Sequence, residues 1–354
     1  MTINDFLTEY QERGASRWHT PGHKGRLFLG DITELVDESF PECYIKNAEE
    51  KVAKFYGVKK LRFLTGGSSI GIKATILACG EDIIAFRGCH QAIEEGCELA
   101  KVKYCLYDVG IGDNGLPNLL TVESVKKAIE EFPMAKAVYI ESPDYYGRVV
   151  AKEVAEVIKQ SGKLFFCDGA HGAHFVANKI LSSKRFETIA DVTNLSAHKT
   201  LNALTGGAYL CINNEKLLGD IDKWLKNLGT TSPNYLILGS LEEAIENVMK
   251  NENMYQKLYD YVFDFRIDVP CLDDDYEESS PINIDNSDFT RLVVDAVELG
   301  YNSGKELTNH LAKNHNIFAE KHEGRWAVFI ATPHETKEDF LKLTRAILPY
   351  KYPY

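Results

Sequence analysis

The chain has 354 residues, of which 44% are hydrophobic and 26% are charged, and its formal net charge is -12. This composition is typical of a folded globular protein and excludes a collagen-like or largely disordered chain. The acidic balance, without any block rich in lysine and arginine, also argues against nucleic acid as a partner.

The cysteines and the N-terminal segment indicate where the protein is found. The eight cysteines include no C-x-x-C pair, which argues against structural zinc and against a disulfide scaffold. Residues 1–17 carry Asp5, Glu9 and Glu12 and lack the apolar core of a signal peptide. No apolar stretch has the length of a membrane span. We therefore expect a cytoplasmic protein that does not bind membranes.

Short apolar segments alternate with helical patterns from about residue 48 to 210, which predicts an α/β domain built on a mainly parallel seven-stranded sheet. The predicted strands are 61–64, 82–86, 103–106, 137–140, 164–167, 192–196 and 207–212. The predicted helices between them include 68–78, 92–100, 122–132 and 152–160.

The C-terminal third follows a different pattern. Segment 233–263 has an apolar spacing of three and four residues, which predicts one long helix that bridges two domains. Beyond an acidic loop at 273–280, a βα pattern predicts strands at 290–294 and 327–331 and helices at 304–314 and 337–347. The chain thus divides into an N-terminal arm (1–45), a large domain with the bridging helix (46–264) and a small α+β domain (265–354).

Three motifs follow predicted strands, where ligands of parallel sheets bind. In the first, Gly66 and Gly67 let the backbone approach a ligand closely. The hydroxyls of Ser68 and Ser69 then open a helix, whose N-terminus attracts an anion. This arrangement predicts a phosphate site, and a simple Gly/Ser turn with a helix cap is the alternative.

The second and third motifs supply an acid and an amine. Asp168 ends an apolar strand, where a carboxylate needs a partner such as a protonated pyridine nitrogen; the alternative is an aspartate that forms a turn or a helix cap. Lys199 follows another apolar strand, where burial can make its amine a nucleophile. Ser196 and His198 lie close enough to reach the same phosphate, although this motif alone is typical of a surface loop.

Histidines complete the set of candidates. His90 opens a helix after a strand and could lie flat on a pyridine ring, or could cap the helix or belong to the core. Asp168, His171 and His174 form a D-x-x-H-x-x-H pattern that could instead bind the metal of a hydrolase. Because no other donor cluster is evident, we predict no metal. The three motifs in this order predict pyridoxal phosphate, held as a Schiff base by Lys199.

At this point the motifs resemble a known family. The sequence is similar to the major domain of the bacterial ornithine/lysine/arginine decarboxylases, which have the fold of aspartate aminotransferase, the fold type I of pyridoxal-phosphate enzymes. The resemblance extends from about residue 17 to 245. It rests on blocks 18–25, 65–73, 87–91, 167–175 and 196–207 with 230–233. The sequences His-Thr-Pro-Gly-His-Lys-Gly and Ser-Ala-His-Lys-Thr are the most specific among them.

The resemblance implies a role for each matching residue. Lys199 would be the Schiff-base lysine, Asp168 would pair the pyridine nitrogen, and His90 would stack on the ring. The further cofactor contacts implied are Gly67, Ser68, Ser69, Ser196 and His198 near the phosphate and Ala170 and His171 near the ring. Thr231 and Ser232 would reach the phosphate of a neighbouring subunit, which implies a homodimer with shared active sites.

The resemblance also implies a reaction, the decarboxylation of arginine, lysine or ornithine to a polyamine-type amine. Asp144, in place of a usual threonine, and Glu141 are candidates for binding the distal cation, and Arg325 for binding a carboxylate. The chain is shorter than most relatives, its extra C-terminal domain is expected to be missing, and Gly169 stands where an acid is common. The alternatives are another pyridoxal-phosphate lyase, an aminotransferase, or a cofactor-binding protein with little turnover.

Overall fold

The computed structural model describes residues 2–12, 21, 23–24, 26, 30–32, 42–251, 253–272 and 287–348. The predicted acidic loop at 273–280 and most of the motif at 18–25 therefore lie outside the described residues. Within the described part of the chain, the helices are too short or too polar to span a bilayer.

A seven-stranded sheet forms the centre of the large domain. Its strands are β1 (Lys60–Leu64), β2 (Ile83–Phe86), β3 (Tyr104–Tyr107), β4 (Ala137–Glu141), β5 (Leu164–Asp168), β6 (Val192–Leu195) and β7 (Ala208–Ile212). Their order is β1-β7-β6-β5-β4-β2-β3, and β7 runs antiparallel to both of its neighbours while the other pairs are parallel. The predicted α/β domain with a mainly parallel sheet is confirmed.

Helices cover both faces of this sheet, as the wholly buried strands β2 and β7 require. Those of the N-terminal and large regions are α1 (Ile3–Glu12), α2 (Glu42–Tyr56), α3 (Ser68–Cys79), α4 (Ala92–Ala100), α5 (Val122–Glu131), α6 (Glu153–Gln160), α7 (Lys179–Ser182), α8 (Ala197–Thr200) and α9 (Leu218–Leu228). Sequence signals fix some ends: Thr121 and Ser124 form a capping box at the start of α5, and Gly80 ends α3 with a φ of 63°.

The predicted bridging helix is wrong as a single element. The structure has two helices, α10 (Tyr235–Lys250) and α11 (Met254–Asp268). Asn251 leaves the helical conformation at the end of α10, and its side chain donates to the Asn247 carbonyl. Asparagine competes for backbone hydrogen bonds in this way, so Asn251 and Asn253 interrupt a segment that has a continuous apolar spacing.

The small lobe, which we define as residues 287–348, is an antiparallel sheet with two helices. It consists of β8 (Arg291–Asp295), α12 (Gly304–His315), β9 (Lys321–Glu323), β10 (Trp326–Ile330) and α13 (Lys337–Ile347), with the strand order β8-β10-β9. The four predicted elements of this region are present. Strand β9 was not predicted, because three polar residues at a sheet edge carry no apolar alternation.

The small lobe packs against the carboxyl end of the large sheet. Val149 and Phe175 of the large domain share one hydrophobic cluster with Phe289 and Leu292 of β8 and its preceding turn. Helix α11 joins the same cluster and crosses the predicted boundary between residues 264 and 265. The division into arm, large domain and small domain remains our proposal. The packing brings polar residues of the small lobe to the strand ends that carry the sequence motifs.

Candidate active site

Two carboxylates stand side by side where adjacent strands end. Asp168 closes β5 and Glu141 closes β4, and the two residues are paired in the parallel register. Asp168 is 1% exposed, and its Oδ1 accepts the Ala170 N–H at 3.0 Å. Burial raises the pKa of Asp168, although that hydrogen bond, His90 and Lys199 oppose the rise. Since no other hydrogen bond reaches this carboxylate from the described residues, its second oxygen can accept from a ligand.

The amine of Lys199 meets the imidazole of His171. Lys199 lies in the short helix α8 directly after β6, and its Nζ is 3.1 Å from Nε2 of His171. His171 follows β5, so the two motifs converge because β5 and β6 are neighbours in the sheet. Burial lowers the pKa of Lys199, while Asp168 and Glu141 oppose that change. A lysine with a lowered pKa carries more of the neutral amine that acts as a nucleophile.

A third motif joins this end of the sheet through a pair of serines. The Ser196 hydroxyl, which is fully buried, donates to the Ser68 hydroxyl at 2.9 Å. Helix α3 begins at Ser68 without any side-chain cap, so its first N–H groups are available to an anion. Gly67 precedes it with a φ of 79°, a conformation that favours glycine. In the same motif as Ser196, Nδ1 of His198 forms a hydrogen bond with the Gly207 carbonyl at 3.0 Å.

His90 caps a helix and also lines a cavity. Its Nδ1 accepts the Ala92 N–H at 3.1 Å, which caps the start of α4. Its ring also lines a cavity of about 370 Å³ that contains Lys199 and His171. Capping therefore fixes the imidazole at the wall of the cavity.

This cavity lies between the large domain and the small lobe. Its polar lining includes Arg87, His90, Asn118, Glu141, Asp144, Tyr145, Tyr146, Arg148, His171 and Lys199 from the large domain and Lys321 and Glu323 from the small lobe. The Tyr145 ring packs on His171 with centroids 4.7 Å apart, and the Tyr146 hydroxyl donates to Glu323 at 2.5 Å. The two tyrosines thus link the polar residues at the strand ends to the small lobe.

Several residues at the site were absent from the sequence-based candidates. Arg291, the first residue of β8, lies with Nη2 3.1 Å from Nδ1 of His171 and is 1% exposed. Lys321 pairs with Glu323 at 2.6 Å beside the tyrosines. No local sequence signal identifies these residues, because tertiary packing brings them to motifs more than a hundred positions away.

The candidates for substrate recognition differ in their surroundings. Asp144 lines the cavity, but it already accepts two backbone N–H groups and the Arg148 guanidinium at 2.6 Å. Glu141 has no ion pair among the described residues, and burial, then Asp168 and Asp144, raises its pKa well above the usual range. Arg325 pairs with Asp295 at 2.6 Å and is not in the cavity lining.

Two further predicted contacts lie elsewhere on the surface. Thr231 and Ser232 are exposed and do not belong to the lining of this subunit's cavity. This position is compatible with contact to a second subunit.

His171 and His174 face different partners. His171 contacts Lys199 and Arg291, whereas Nε2 of His174 is 3.1 Å from Oδ1 of Asp288. In the described ranges, no group of three His, Cys, Asp or Glu side chains is arranged to hold a metal ion.

The donor set fits pyridoxal phosphate. A buried carboxylate with an unused oxygen suits a cationic ring nitrogen, and an amine with a lowered pKa suits an aldehyde. The uncapped start of α3 with Ser68 and Ser196 suits a phosphate dianion. These residues would hold the cofactor at the end of the sheet formed by β4, β5 and β6.

A buried ion pair of the small lobe includes Arg291, and its loss should lower the stability of the protein. Asp288 contacts His174 and lies 3.9 Å from Arg291, and all three are buried. Burial opposes ionisation of Asp288, but His174 and Arg291 outweigh it and lower its pKa from 3.8 to about 2. Asp288→Asn should reduce the free energy of unfolding in urea at pH 7 by about 3–5 kcal/mol, because Arg291 loses its counter-charge.

The sign of the pH dependence follows from the lowered pKa of Asp288. Its contribution to stability is complete above the unfolded pKa of about 3.9 and disappears as the pH falls towards 2. The difference in stability between wild type and Asp288→Asn should therefore shrink between about pH 5 and 2. Asp295→Asn is the matched control, and it should cost only about 1 kcal/mol because Arg325, its partner, is 37% exposed. Equal losses in both variants would contradict the assignment.

Comparison with known proteins identifies a matching family and several relatives. The profile of a family described as "Orn/Lys/Arg decarboxylase, major domain" matches residues 27–284, more than half of the chain. The uncharacterized protein YaaO of Bacillus subtilis (strain 168) is 29% identical over 277 residues, 70% of this chain and 57% of YaaO. An arginine decarboxylase of the same organism is 25% identical over 369 residues, 96% of this chain and 75% of the relative.

A solved structure also shares the fold. The lysine decarboxylase of Francisella novicida superposes with a TM-score of 0.80 at 18% sequence identity, over 99% of this chain and 59% of that protein. At this identity the likeness concerns the fold alone. The chain thus spans little more than half the length of YaaO and of the Francisella protein.

Proposed function

Because the chain belongs to the ornithine/lysine/arginine decarboxylase family, we propose that it decarboxylates a basic amino acid, with pyridoxal phosphate as cofactor. The observation that carries the proposal is the convergence of three sequence motifs at one end of the sheet. Lys199 meets His171 in one contact, and Ser196 meets Ser68 in another, next to the buried carboxylate of Asp168. Arginine, lysine and ornithine are the candidate substrates, and the product is a polyamine-type amine.

Each residue of the chain has a defined task in this proposal. When bound, pyridoxal phosphate supplies a pyridinium ring that accepts the electron pair left when the α-carboxylate departs as CO₂. Asp168 keeps the ring nitrogen protonated, and the low-dielectric surroundings strengthen this ion pair. Lys199 and His90 both face the cavity, so either can deliver a proton to the substrate α-carbon. Tyr145 packs against His171 at the wall of the cavity.

Glu141 is our choice for the group that binds the distal cation of the substrate. Its carboxylate lines the cavity with no cation paired to it in the described part of the chain, whereas Arg148 already neutralises Asp144. Burial next to Asp168 raises the pKa of Glu141, and a cationic ligand bound there would stabilise its carboxylate form. Arg325, which is paired with Asp295, is the weaker candidate for the substrate carboxylate.

Glu141→Gln should raise KM for the preferred basic amino acid by about 10- to 100-fold, since a charge-assisted hydrogen bond contributes about 1.5–3 kcal/mol. In wild type, KM should fall as the pH rises through the raised pKa of Glu141, because the carboxylate replaces the neutral acid. The variant should not show this dependence. Steady-state kinetics at several pH values provide the measurement.

The matched control is Glu323→Gln in the same cavity. Glu323 is already paired with Lys321 at 2.6 Å, so its loss should change KM by less than about threefold. If Glu141→Gln leaves KM and its pH profile unchanged, Glu141 does not bind the cation.

A substrate screen tests the proposed reaction. The protein is incubated with pyridoxal phosphate and with arginine, lysine or ornithine, and CO₂, amine and keto acid are measured. We expect CO₂ and the matching amine in equal amounts from at least one of them. Keto acid without CO₂ would indicate an aminotransferase, and no product from any amino acid would favour a cofactor-binding protein with little turnover.

The proposal includes a cytoplasmic homodimer with shared active sites. Thr231 and Ser232 are exposed in one subunit and lie outside its own cavity, which supports their use by a neighbour. Sedimentation that detects only monomers in the presence of cofactor would rule out this assembly.

A further inference from the structure

Arg291, His171 and Lys199 form a series of contacts at the wall of the cavity. Nη2 of Arg291 is 3.1 Å from Nδ1 of His171, and Nε2 of the same ring is 3.1 Å from Nζ of Lys199. Arg291 is 1% exposed and His171 is 3% exposed. The series therefore connects the first residue of β8 to the amine at the centre of the site.

The guanidinium of Arg291 determines the direction of both hydrogen bonds. A guanidinium only donates, so Nδ1 of His171 must accept and has no proton. A neutral imidazole then carries its proton on Nε2, which donates to Lys199. An ammonium has no lone pair, so Nζ of Lys199 can accept this bond only as a neutral amine.

We infer that Arg291 is a positioning residue that holds His171 in the Nε2–H tautomer and, through it, holds Lys199 as a neutral amine. The significance of this inference rests on the proposed function, because only the neutral lysine amine has the lone pair that a nucleophile requires. Arg291 acts without contact to the cavity, whose described lining does not include it.

The surroundings of the two residues favour a neutral imidazole at His171 and lower the pKa of Lys199. Burial, followed by the positive charge of Arg291, lowers the pKa of His171 well below its usual range, so the ring stays neutral. The charged groups that face Lys199 are Asp168, Glu141 and Glu320, which favour the ammonium, and Arg291, which disfavours it. Burial exceeds these contributions, and the pKa of Lys199 is lowered.

The surroundings of Arg291 hold it in place. Its Nη1 donates to the Thr290 hydroxyl at 3.2 Å and lies 3.9 Å from Asp288. Gly147, with a φ of 83°, passes so close that an added Cβ would lie 2.7 Å from the Arg291 side chain. The guanidinium is thus held by residues of the small lobe, while the loop after β4 packs against the base of the same side chain.

The experiment reads the tautomer directly in the full chain, prepared without cofactor. Long-range ¹H–¹⁵N correlation spectra of protein with ¹⁵N-labelled histidine distinguish a protonated Nε2 from a protonated Nδ1, and His171→Asn identifies the signal. We expect the Nε2–H form in wild type. A protonated Nδ1 would overturn the inference without any need for an Arg291 variant.

Variants at Arg291 test the link to Lys199. Arg291→Met removes the donor, so His171 should populate the other tautomer and the midpoint of Lys199 methylation, followed by peptide mass spectrometry, should rise by about one pH unit. Arg291→Lys retains a cation that only donates and should restore both values. Arg345→Met, which changes an exposed arginine of the small lobe that pairs with Glu338, should alter neither.

An Arg291→Met protein that keeps the wild-type tautomer and the wild-type midpoint of Lys199 methylation would overturn the inference. Since the readouts use neither cofactor nor amino acid, they are independent of the proposed reaction. A protein with the expected tautomer but without decarboxylase activity would refute the proposed function alone. An active decarboxylase with the opposite tautomer would refute the role of Arg291 alone.

Discussion

Lys199→Ala should reduce decarboxylation of the best substrate by at least about 10³-fold, because the amine would both bind the cofactor and deliver a proton. The variant should also lose the visible absorbance that wild type acquires with pyridoxal phosphate. The reason lies in the geometry: Lys199 is the lysine of α8 that reaches both the cavity and Nε2 of His171. Absorbance titration and initial rates provide the two measurements.

The control for this experiment is Lys159→Ala, which changes an exposed lysine of α6. It should bind cofactor and turn over substrate as wild type does. A Lys199→Ala protein with unaltered absorbance and rate would refute the assignment of the cofactor lysine.

Asp168→Asn should lower kcat by about 10²–10³-fold with a smaller effect on protein stability. The asparagine Oδ1 can still accept the Ala170 N–H, so the turn after β5 should persist. The negative charge that would hold a ring nitrogen protonated is lost, and such preorganised charges contribute about 2.7–4 kcal/mol to catalysis. Kinetics together with thermal unfolding separate the two effects.

Asp191→Asn is a suitable control for Asp168→Asn. Asp191 directly precedes β6, and its carboxylate accepts the Phe165 N–H and an Asn214 amide away from the cavity. It should leave kcat within about threefold of wild type. Equal kcat values for Asp168→Asn and wild type would show that the carboxylate at 168 is not electronically coupled to the reaction.

Much of the fold was predictable because local patterns and tertiary packing agree. The wholly buried strands β2 and β7 are continuous apolar runs, and a sheet that is covered by helices on both faces requires such runs. Thr336 is the N-cap of helix α13, and its capping box with Asp339 is readable from the sequence. The break between α10 and α11 was missed because side-chain competition at Asn251 outweighs a helical spacing that continues on both sides.

The site was predictable where a motif follows a strand and not where packing assembles it. Asp168, Lys199 and Ser68 follow strands β5, β6 and β1, and the sheet order brings their ends together. Arg291 belongs to a strand of another lobe, and only the docking of that lobe against the loop at Gly147 brings it to His171. No sequence signature shows that an arginine in a buried strand will contact a histidine of the site.

The central claim is that the amine of Lys199 binds pyridoxal phosphate. Wild-type protein loaded with the cofactor is reduced with borohydride, digested, and mapped by peptide mass spectrometry. We predict a pyridoxyl group on the peptide that contains Lys199, at close to one per chain. Modification spread over exposed lysines, with the Lys199 peptide unmodified, would contradict the account.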